Sequence, residues 1–431
     1  MAVRRTWGSR LQSRYPYFVL AVLLLVHIFN FIDRQVLTIL LEPIKNEFGA
    51  SDTAMGFLSG FAFAVLYATM GVPVARLADS WSRRNVLAAG AFIWSAMTTL
   101  CGLAASFWHL ALCRLGVGVG EAGGTPPSHA LIAAYFPVEK RSSAMAIYAS
   151  GSQFGVLIGL FGGALIAEAY GWRAVFFAFG IPGMLLGLVV LATVREPAQR
   201  AAPSGGSMWD DVQVLWRIPS LVPLAVAAGL TALAGYGMGA WFPSFLIRVH
   251  GMSLSEAGLV LGVVGTLGAL IGGIAGGVVC DRLAARDPRW QLRFPAVGAA
   301  LSVLGLGAFL LWPEDQFWLV GEFHVPFASV FLFFGSVVSA LWVGPTYAAV
   351  QALTPEHLRA QASAILLLLL NLIGMGLGPL LVGILSDLLH GELAAQAVRY
   401  AMVISLVTVV GGSLVYWRAA PAYRQALAAM R

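Results

Sequence analysis

His27-Ile28-Phe29-Asn30-Phe31-Ile32-Asp33-Arg34 is a run of charge set in hydrocarbon, and Arg114-Leu115-Gly116-Val117-Gly118-Val119-Gly120-Glu121 is a second. The first lies inside the apolar segment 17–40, the second inside the segment 108–135. An ionised side chain costs about 2.5 kcal/mol or more at the centre of a membrane helix, so such residues are rare and line a pathway or pair together. Two acids and two arginines in two such segments point to an all-helical membrane protein with a functional site inside it.

Helical geometry sharpens that reading. Arg114 and Glu121 are seven residues apart and share one face, roughly 10 Å apart along the axis. Gly118 lies between them and leaves room for a neighbouring helix. His27, Asn30, Asp33 and Arg34 fit within an arc of roughly 120°. If the two helices run antiparallel, Asp33 and Arg114 stand at about the same depth, about 10 Å below one surface. The expectation is an Asp33–Arg114 pair with Glu121 nearer the midplane. A structural ion pair that only fixes the helices is the alternative; four ionisable groups and an asparagine weigh against it.

Composition agrees. Of 431 residues, 59% are hydrophobic and 11% charged, against about 25% charged in ordinary soluble domains. The pI near 9.4 would elsewhere suggest nucleic acid, but here the basic residues flank apolar segments, so no nucleic-acid partner is expected. Cys101, Cys113 and Cys280 lie within apolar segments at no paired spacing. They read as buried packing residues, with neither a disulfide framework nor a metal site. The segment after the basic stretch 1–14 is a full-length span without a small-residue cleavage site, so it reads as an uncleaved first helix.

A membrane helix needs about 20 apolar residues. Twelve candidates follow: 17–40, 53–77, 86–106, 108–135, 141–169, 172–194, 220–247, 254–281, 293–312, 326–353, 358–388 and 396–418. On the side holding the N-terminus the loops carry twenty of the 26 Lys and Arg residues. The other side has Lys45, Arg173, Arg248 and Arg399, and Arg34 and Arg114 are buried. Basic loops stay in the cytoplasm. The expectation is therefore a multi-pass protein of the inner or plasma membrane with both termini cytoplasmic. The long connection 195–219 opens with Pro197, Pro203, Ser204, Gly205 and Gly206. Met208, Val212, Leu215 and Trp216 then recur at helical spacing, which reads as a short amphipathic helix on the inner leaflet. It divides the chain into a six-helix bundle, 1–194, and a second one, 220–431.

The halves are a duplication. Gly49, Ser51, Gly56, Gly60, Gly71 and Asp79 recur 202 residues on as Gly251, Ser253, Gly258, Gly262, Gly273 and Asp281. Pro137, Arg141, Ala144, Ala146 and Ile147 recur at an offset of 218 as Pro355, Arg359, Ala362, Ala364 and Ile365. Two parallel six-helix repeats imply a site between the halves near mid-bilayer, and alternating access by rocking.

With these features the chain resembles the major facilitator superfamily over essentially its whole length. The loop Ala75-Arg76-Leu77-Ala78-Asp79-Ser80-Trp81-Ser82-Arg83-Arg84 is similar to that superfamily's Gly-x-Leu-Ala-Asp-Arg-x-Gly-Arg-Arg motif, departing at Ala75, Ser80 and Ser82. Its second-half copy is Gly277-Val278-Val279-Cys280-Asp281-Arg282. The resemblance implies that Asp79, Arg83, Arg84, Asp281 and Arg282 form a cytoplasmic gate. Arg114, Gly118 and Gly120 resemble the family's fourth-helix motif, which is associated with proton coupling. The glycines 151, 155, 159, 162 and 163 resemble the antiporters' fifth-helix ladder, but Leu160 stands where that motif has proline. Asn30-Phe31-Ile32-Asp33-Arg34 with Gly118-Val119-Gly120-Glu121-Ala122, and the runs Gly171-Trp172-Arg173 and Gly180-Ile181-Pro182-Gly183, look like the spinster-like subgroup. That resemblance implies transport of amphipathic, lipid-like molecules such as sphingosine phosphates or lysophospholipids, with proton coupling through Asp33.

The expected mechanism assigns proton uptake and release to Asp33. A conformational change that moves an arginine toward or away from it alters its proton affinity. Glu121 is either a second proton carrier or the group that holds Arg114 when Asp33 is protonated. Arg34 or Arg114 could meet an anionic headgroup, with Asn30 beside them. The second half offers Tyr236, Trp241, Trp342, Tyr347, Gln351 and Asn371 as an aromatic, charge-poor surface suited to an acyl chain. No cofactor is expected beyond the proton gradient. The expected partners are a small amphipathic substrate and the lipid bilayer, with one chain as the working unit. A nucleotide-driven pump lacks its motif, since Lys45 and Lys140 are the only lysines and neither sits in a phosphate-binding loop. Enzyme chemistry lacks a clustered nucleophile, base or metal ligand set. A carrier of another organic solute or drug, a channel, and a proton-independent lipid facilitator or flippase stay open as rivals.

Overall fold

The computed structural model describes residues 3–197, 215, 218, 220–355 and 358–429. It is built almost wholly of helices that follow the expected spans. Among the described residues, nine helices are long and apolar enough to cross a membrane by length and composition. One of the nine, Gln361–Ala429, is two spans joined through the short turn Ala394–Gln396. The polar-headed helix Arg83–Cys101 and the broken helix Phe107–Glu121 with Thr125–Tyr135 complete the twelve. Of the expected linker, only residues 195–197, 215 and 218 are described. Its amphipathic helix thus lies outside the described residues, apart from Leu215, which is buried against Leu224 and its neighbours.

Packing divides the chain into two compact units. The first joins residues 1–40 to 65–202. The first span, Val3–Ile39, packs on the fifth, which runs from Val138–Leu157 through Ile158–Gly162 to Gly163–Tyr170. Glycines make this contact close: a Cβ on Gly155 would lie 2.5 Å from the Phe31 Cβ and 2.7 Å from the Ile28 carbonyl oxygen. The third span, Arg83–Cys101, is sandwiched between the fourth and the sixth, Trp172–Thr193. A Cβ on Gly120 of the fourth span would lie 2.5 Å from the Trp94 nitrogen, so that crossing also needs glycine.

The second unit joins 203–431 to residues 41–64. The seventh span, Leu221–His250, and the ninth, Trp290–Leu311, pack on the twelfth, Ala397–Ala429. Sequence order puts residues 41–64 with the N-terminal bundle, yet they pack here. The helix Asp52–Gly56 and the turn Phe57–Phe61 of the second span press on the eleventh, where a Cβ on Gly56 would meet the Pro379 carbonyl oxygen.

The duplication shows in backbone irregularities as well as residues. π-helical turns occupy Phe57–Phe61, Ile158–Gly162, Val260–Gly265 and Leu370–Leu377, in the second, fifth, eighth and eleventh spans. That is one in the middle span of every group of three, as expected of three-helix repeats nested within each half. The fourth span, expected to be continuous over 108–135, breaks at Ala122–Gly124 just beyond Glu121. Pro126 and Pro127 remove the amide donors that would carry the helix through the break. The tenth span repeats this, with Ser329–Ala340 and Val343–Leu353 interrupted at Leu341 and Trp342 ahead of Pro345.

Candidate functional site

The first unit gathers Asn30, Asp33, Arg34, Arg114 and Glu121 into one buried cluster. Asp33, Arg114 and Glu121 are each 1% exposed, and Asn30 is 4% exposed. The first span supplies Asn30, Asp33 and Arg34 from neighbouring turns. The fourth supplies Arg114 and, at its break, Glu121. The third closes the site with Thr98 and Trp94, both buried.

The pairing differs from the expected one. Arg34 Nε donates to Glu121 Oε2 at 2.7 Å, while Arg114 Nη1 donates to the Asp33 main-chain oxygen at 3.3 Å. Asp33 and Arg34 are sequence neighbours about 100° apart on the helix, so a modest rotation of the first span exchanges which of them meets the fourth. Asn30 lies beside Glu121, and the groups acting on Asp33 are Glu121, Arg114 and the Thr98 hydroxyl. Neither carboxylate oxygen of Asp33 makes a hydrogen bond of full geometry among the described residues.

Around Arg34 the surface turns aromatic. Its guanidinium carbon lies 4.8 Å from the Tyr67 ring centroid and 5.3 Å from that of Phe31. His27 stacks on Tyr148 at 4.2 Å, and His129 meets the same tyrosine edge-on at 5.4 Å. Arginine over aromatic faces keeps its charge while leaving apolar surface for a ligand stem. In the second unit, Trp241 is buried and donates from Nε1 to the Pro379 oxygen at 2.9 Å. It belongs to the packing of that unit and not to an open surface.

The expected cytoplasmic gate is only partly visible. The Asp79 side chain lies outside the described residues. Arg83 and Arg84 sit at the start of the third span, where their main-chain amides donate to Glu196 at 3.2 and 2.8 Å. The Ser82 hydroxyl donates to the same carboxylate at 2.7 Å. A carboxylate at a helix N-terminus satisfies otherwise unpaired amides and complements the dipole. Glu196, not singled out in the sequence, thus ties the end of the sixth span to the start of the third. Arg141 donates to the Ala133 oxygen at 2.8 Å and caps the other end of the broken fourth span. Asp281 and Arg282 stand exposed at the end of Thr266–Ala284.

A second charged cluster, within the second unit, was not singled out as a site. Asp52, 1% exposed, accepts from Arg248 Nη1 and Nη2 at 2.7 Å each, Lys45 Nζ at 2.5 Å and Ser386 Oγ at 2.6 Å. Arg248 also donates to Glu42 at 2.8 Å. Asp387 accepts from the amides of Asp52 and Thr53 at 3.0 and 2.7 Å, capping the second span. Taken singly, Lys45 and Arg248 read as topogenic loop charges. Only the fold shows that they converge on one carboxylate.

Comparison with known proteins gives this geometry a family. The Major Facilitator Superfamily profile matches residues 23–379. An MFS-type efflux pump of Mycolicibacterium smegmatis is 36% identical over 98% of this chain and 97% of its own length. The sphingosine-1-phosphate transporter SPNS2 of Danio rerio is 24% identical, over 94% of this chain and 84% of its own. Among solved structures, a bacterial homolog of the human lysosomal transporter spinster, inward-facing and unoccupied, superposes with a TM-score of 0.85. It shares 29% identity and covers 96% of this chain and 98% of its own. Its relatives are transporters and not enzymes. The chain belongs to the Major Facilitator Superfamily, with spinster-type transporters among its relatives.

Proposed function

We propose that the chain is a proton-coupled secondary transporter that works by alternating access on an amphipathic, lipid-like organic solute. The observation that carries the coupling is Asp33. Its carboxyl group is buried, without a hydrogen bond among the described residues, within reach of the Arg114 charge. A buried carboxylate without donors is costly, and the neutral acid much less so. A group so placed gains or loses a proton when the helices around it shift. Glu121 and Arg34 form the partner pair, so any movement that separates them exposes an arginine to an anionic group of the solute.

The solute class rests on two supports. The aromatic surface of Phe31, Tyr67 and Tyr148 beside one guanidinium suits a molecule with a polar head and an apolar body. A relative of this chain is described as carrying a sphingoid phosphate. The M. smegmatis relative favours a second reading, in which the cargo is another small organic solute and the direction is export. Both termini are assigned to the cytoplasm of an inner or plasma membrane, one chain is taken as the working unit, and no cofactor other than the proton gradient is needed.

The test is flux in proteoliposomes. A panel of lysolipids, sphingoid phosphates, sugar acids and cationic drugs is offered with and without an imposed pH gradient. The expected result is gradient-driven accumulation of an amphipathic member, lost in Asp33→Asn while solute binding is retained. Equal flux in both conditions would overturn proton coupling. Accumulation restricted to drugs or sugar acids would overturn the lipid-like cargo.

A further inference from the structure

Between the ninth and tenth spans the chain forms a two-stranded antiparallel hairpin, Phe317–Val320 and Phe323–Pro326. It turns through Gly321 and Glu322, where Gly321 holds φ +65°, a conformation that favours glycine. Counted along twelve spans, this connection lies on the membrane face opposite both termini.

The hairpin is built unlike a water-facing one. Water-facing ribbons alternate apolar and polar residues so that one face meets solvent. Here Phe317, Trp318, Leu319 and Val320 are consecutive, and they are 49, 44, 66 and 57% exposed. The register places Phe317, Leu319, His324 and Pro326 on one face, and Trp318, Val320, Phe323 and Val325 on the other. One face is wholly apolar and the other has a single polar side chain. An isolated two-stranded ribbon is marginal in water, and an apolar one with free edges invites association.

This ribbon is nonetheless held in place. His324 donates from its main-chain nitrogen to Glu256 Oε1 at 2.8 Å, with its ring Nδ1 3.0 Å from the same oxygen. Glu256 itself belongs to the capping box that starts the eighth span, accepting from the Ser253 amide at 2.8 Å. Trp318 packs on Phe327 with ring centroids 4.3 Å apart, and Trp312 donates to Gln316 at 3.0 Å. The strands thus lie between the end of the ninth span at Leu311 and the start of the tenth at Ser329. The two flanking spans also expose Leu304, Leu311, Val330 and Phe334, at 69, 54, 41 and 57%. Exposed apolar side chains on the strands and on both flanking spans, together with Trp318, a residue type of interfacial belts, single out lipid as the occupant.

We propose that the hairpin is a lipid-docking element, seated at the headgroup–acyl boundary of the leaflet opposite the termini, where lipid covers both of its faces. It anchors the second unit against that leaflet at a fixed depth, with Glu322 at its turn left in water.

The test uses full-length protein in lipid vesicles. Leu319→Cys, in a background lacking Cys101, Cys113 and Cys280, carries an environment-sensitive fluorophore. The expected result is blue-shifted emission that is quenched by lipids brominated near the glycerol end of the chain and insensitive to aqueous iodide. Water-like emission quenched by iodide would overturn the proposal. Shielding from both quenchers that disappears on dilution with lipid would overturn it in favour of a second copy of the chain. Because removing three cysteines could perturb folding, a photoreactive phenylalanine analogue at position 319 of the otherwise native chain gives an independent readout. Lipid adducts are expected; adducts only between protein chains, or none, would reject lipid as the occupant.

Discussion

Asp33 and Glu121 are both buried carboxylates, and their surroundings give them different work. Glu121 is held by Arg34 at 2.7 Å, whereas among the described residues nothing donates a hydrogen bond to the Asp33 carboxylate. Removing one partner of a buried ion pair costs about 3–5 kcal/mol, because the other charge is left uncompensated. Glu121→Gln should therefore lower the thermal unfolding temperature of the detergent-solubilised protein clearly. The double variant Arg34→Gln with Glu121→Gln should lose less than the sum of the single losses, since it removes both charges together. Asp33→Asn breaks no direct ion pair, although it removes a negative charge near Arg114, and should be damaged less than Glu121→Gln. A melt in which Asp33→Asn is the most damaged of these variants would reverse the assignment. The cluster itself was legible, because charge stands out against hydrocarbon. Which arginine meets which acid was not. Asp33 and Arg34 are adjacent, and the rotation of the first span that selects between them comes from contacts of other helices, among them Gly155 against Phe31 and Ile28.

Glycine contacts and ion networks act on whole elements. A side chain at position 155 would overlap Phe31 and the Ile28 carbonyl, so Gly155→Val must push the first span away from the fifth and carry Asp33 with it. Loss of pH-gradient-driven flux together with a lowered melting temperature is expected. Gly265→Val is the control, since among the described residues a Cβ there meets nothing within 4 Å. The network on Asp52 holds residues 41–64 against the second unit in a different way. Four side-chain hydrogen bonds converge on one carboxylate, so Asp52→Asn should loosen the whole segment. Amide exchange over 41–64 should rise at least about tenfold, the equivalent of about 1.4 kcal/mol. Exchange confined to residues 51–53 would mean that the network is only a local helix cap. This network was not legible in the sequence. Its members come from positions 42, 45, 52, 248, 386 and 387, and each alone reads as loop charge or helix-end polarity. The breaks in the fourth and tenth spans were hidden as well, because Gly and Pro are common inside membrane helices that run straight.

At the scale of the molecule, the duplicated pattern of residues anticipated a duplicated pattern of backbone, with π-helical turns in every third span and paired interruptions ahead of Pro127 and Pro345. Orientation in the membrane rests on a separate argument. Twenty of 26 Lys and Arg residues fall on the side of the termini, and four fall in the opposite loops. Positive charge acts on orientation through short loops close to the span ends, and the turn 285–289 is of that kind, with Arg286 and Arg289 beside exposed ends of helices. Three of the four minority charges are paired within the protein. Arg248 is consumed by Asp52 and Glu42, Lys45 by Asp52, and Arg399 by Glu314 at 2.9 Å. Carboxylates weigh little in this rule, and Arg289 is itself paired with Asp287 at 2.7 Å, so the bias rests on the count. The turn 285–289 should therefore face the cytoplasm and the turn between the eleventh and twelfth spans the opposite compartment. Single cysteines at Asp287, half-buried in the turn 285–289, and at Glu392, exposed at the end of the helix Gly378–Leu393, report this directly. A membrane-impermeant maleimide added to intact cells should label the Glu392→Cys protein and spare Asp287→Cys until the membrane is opened. Labelling in the reverse order would place the termini outside.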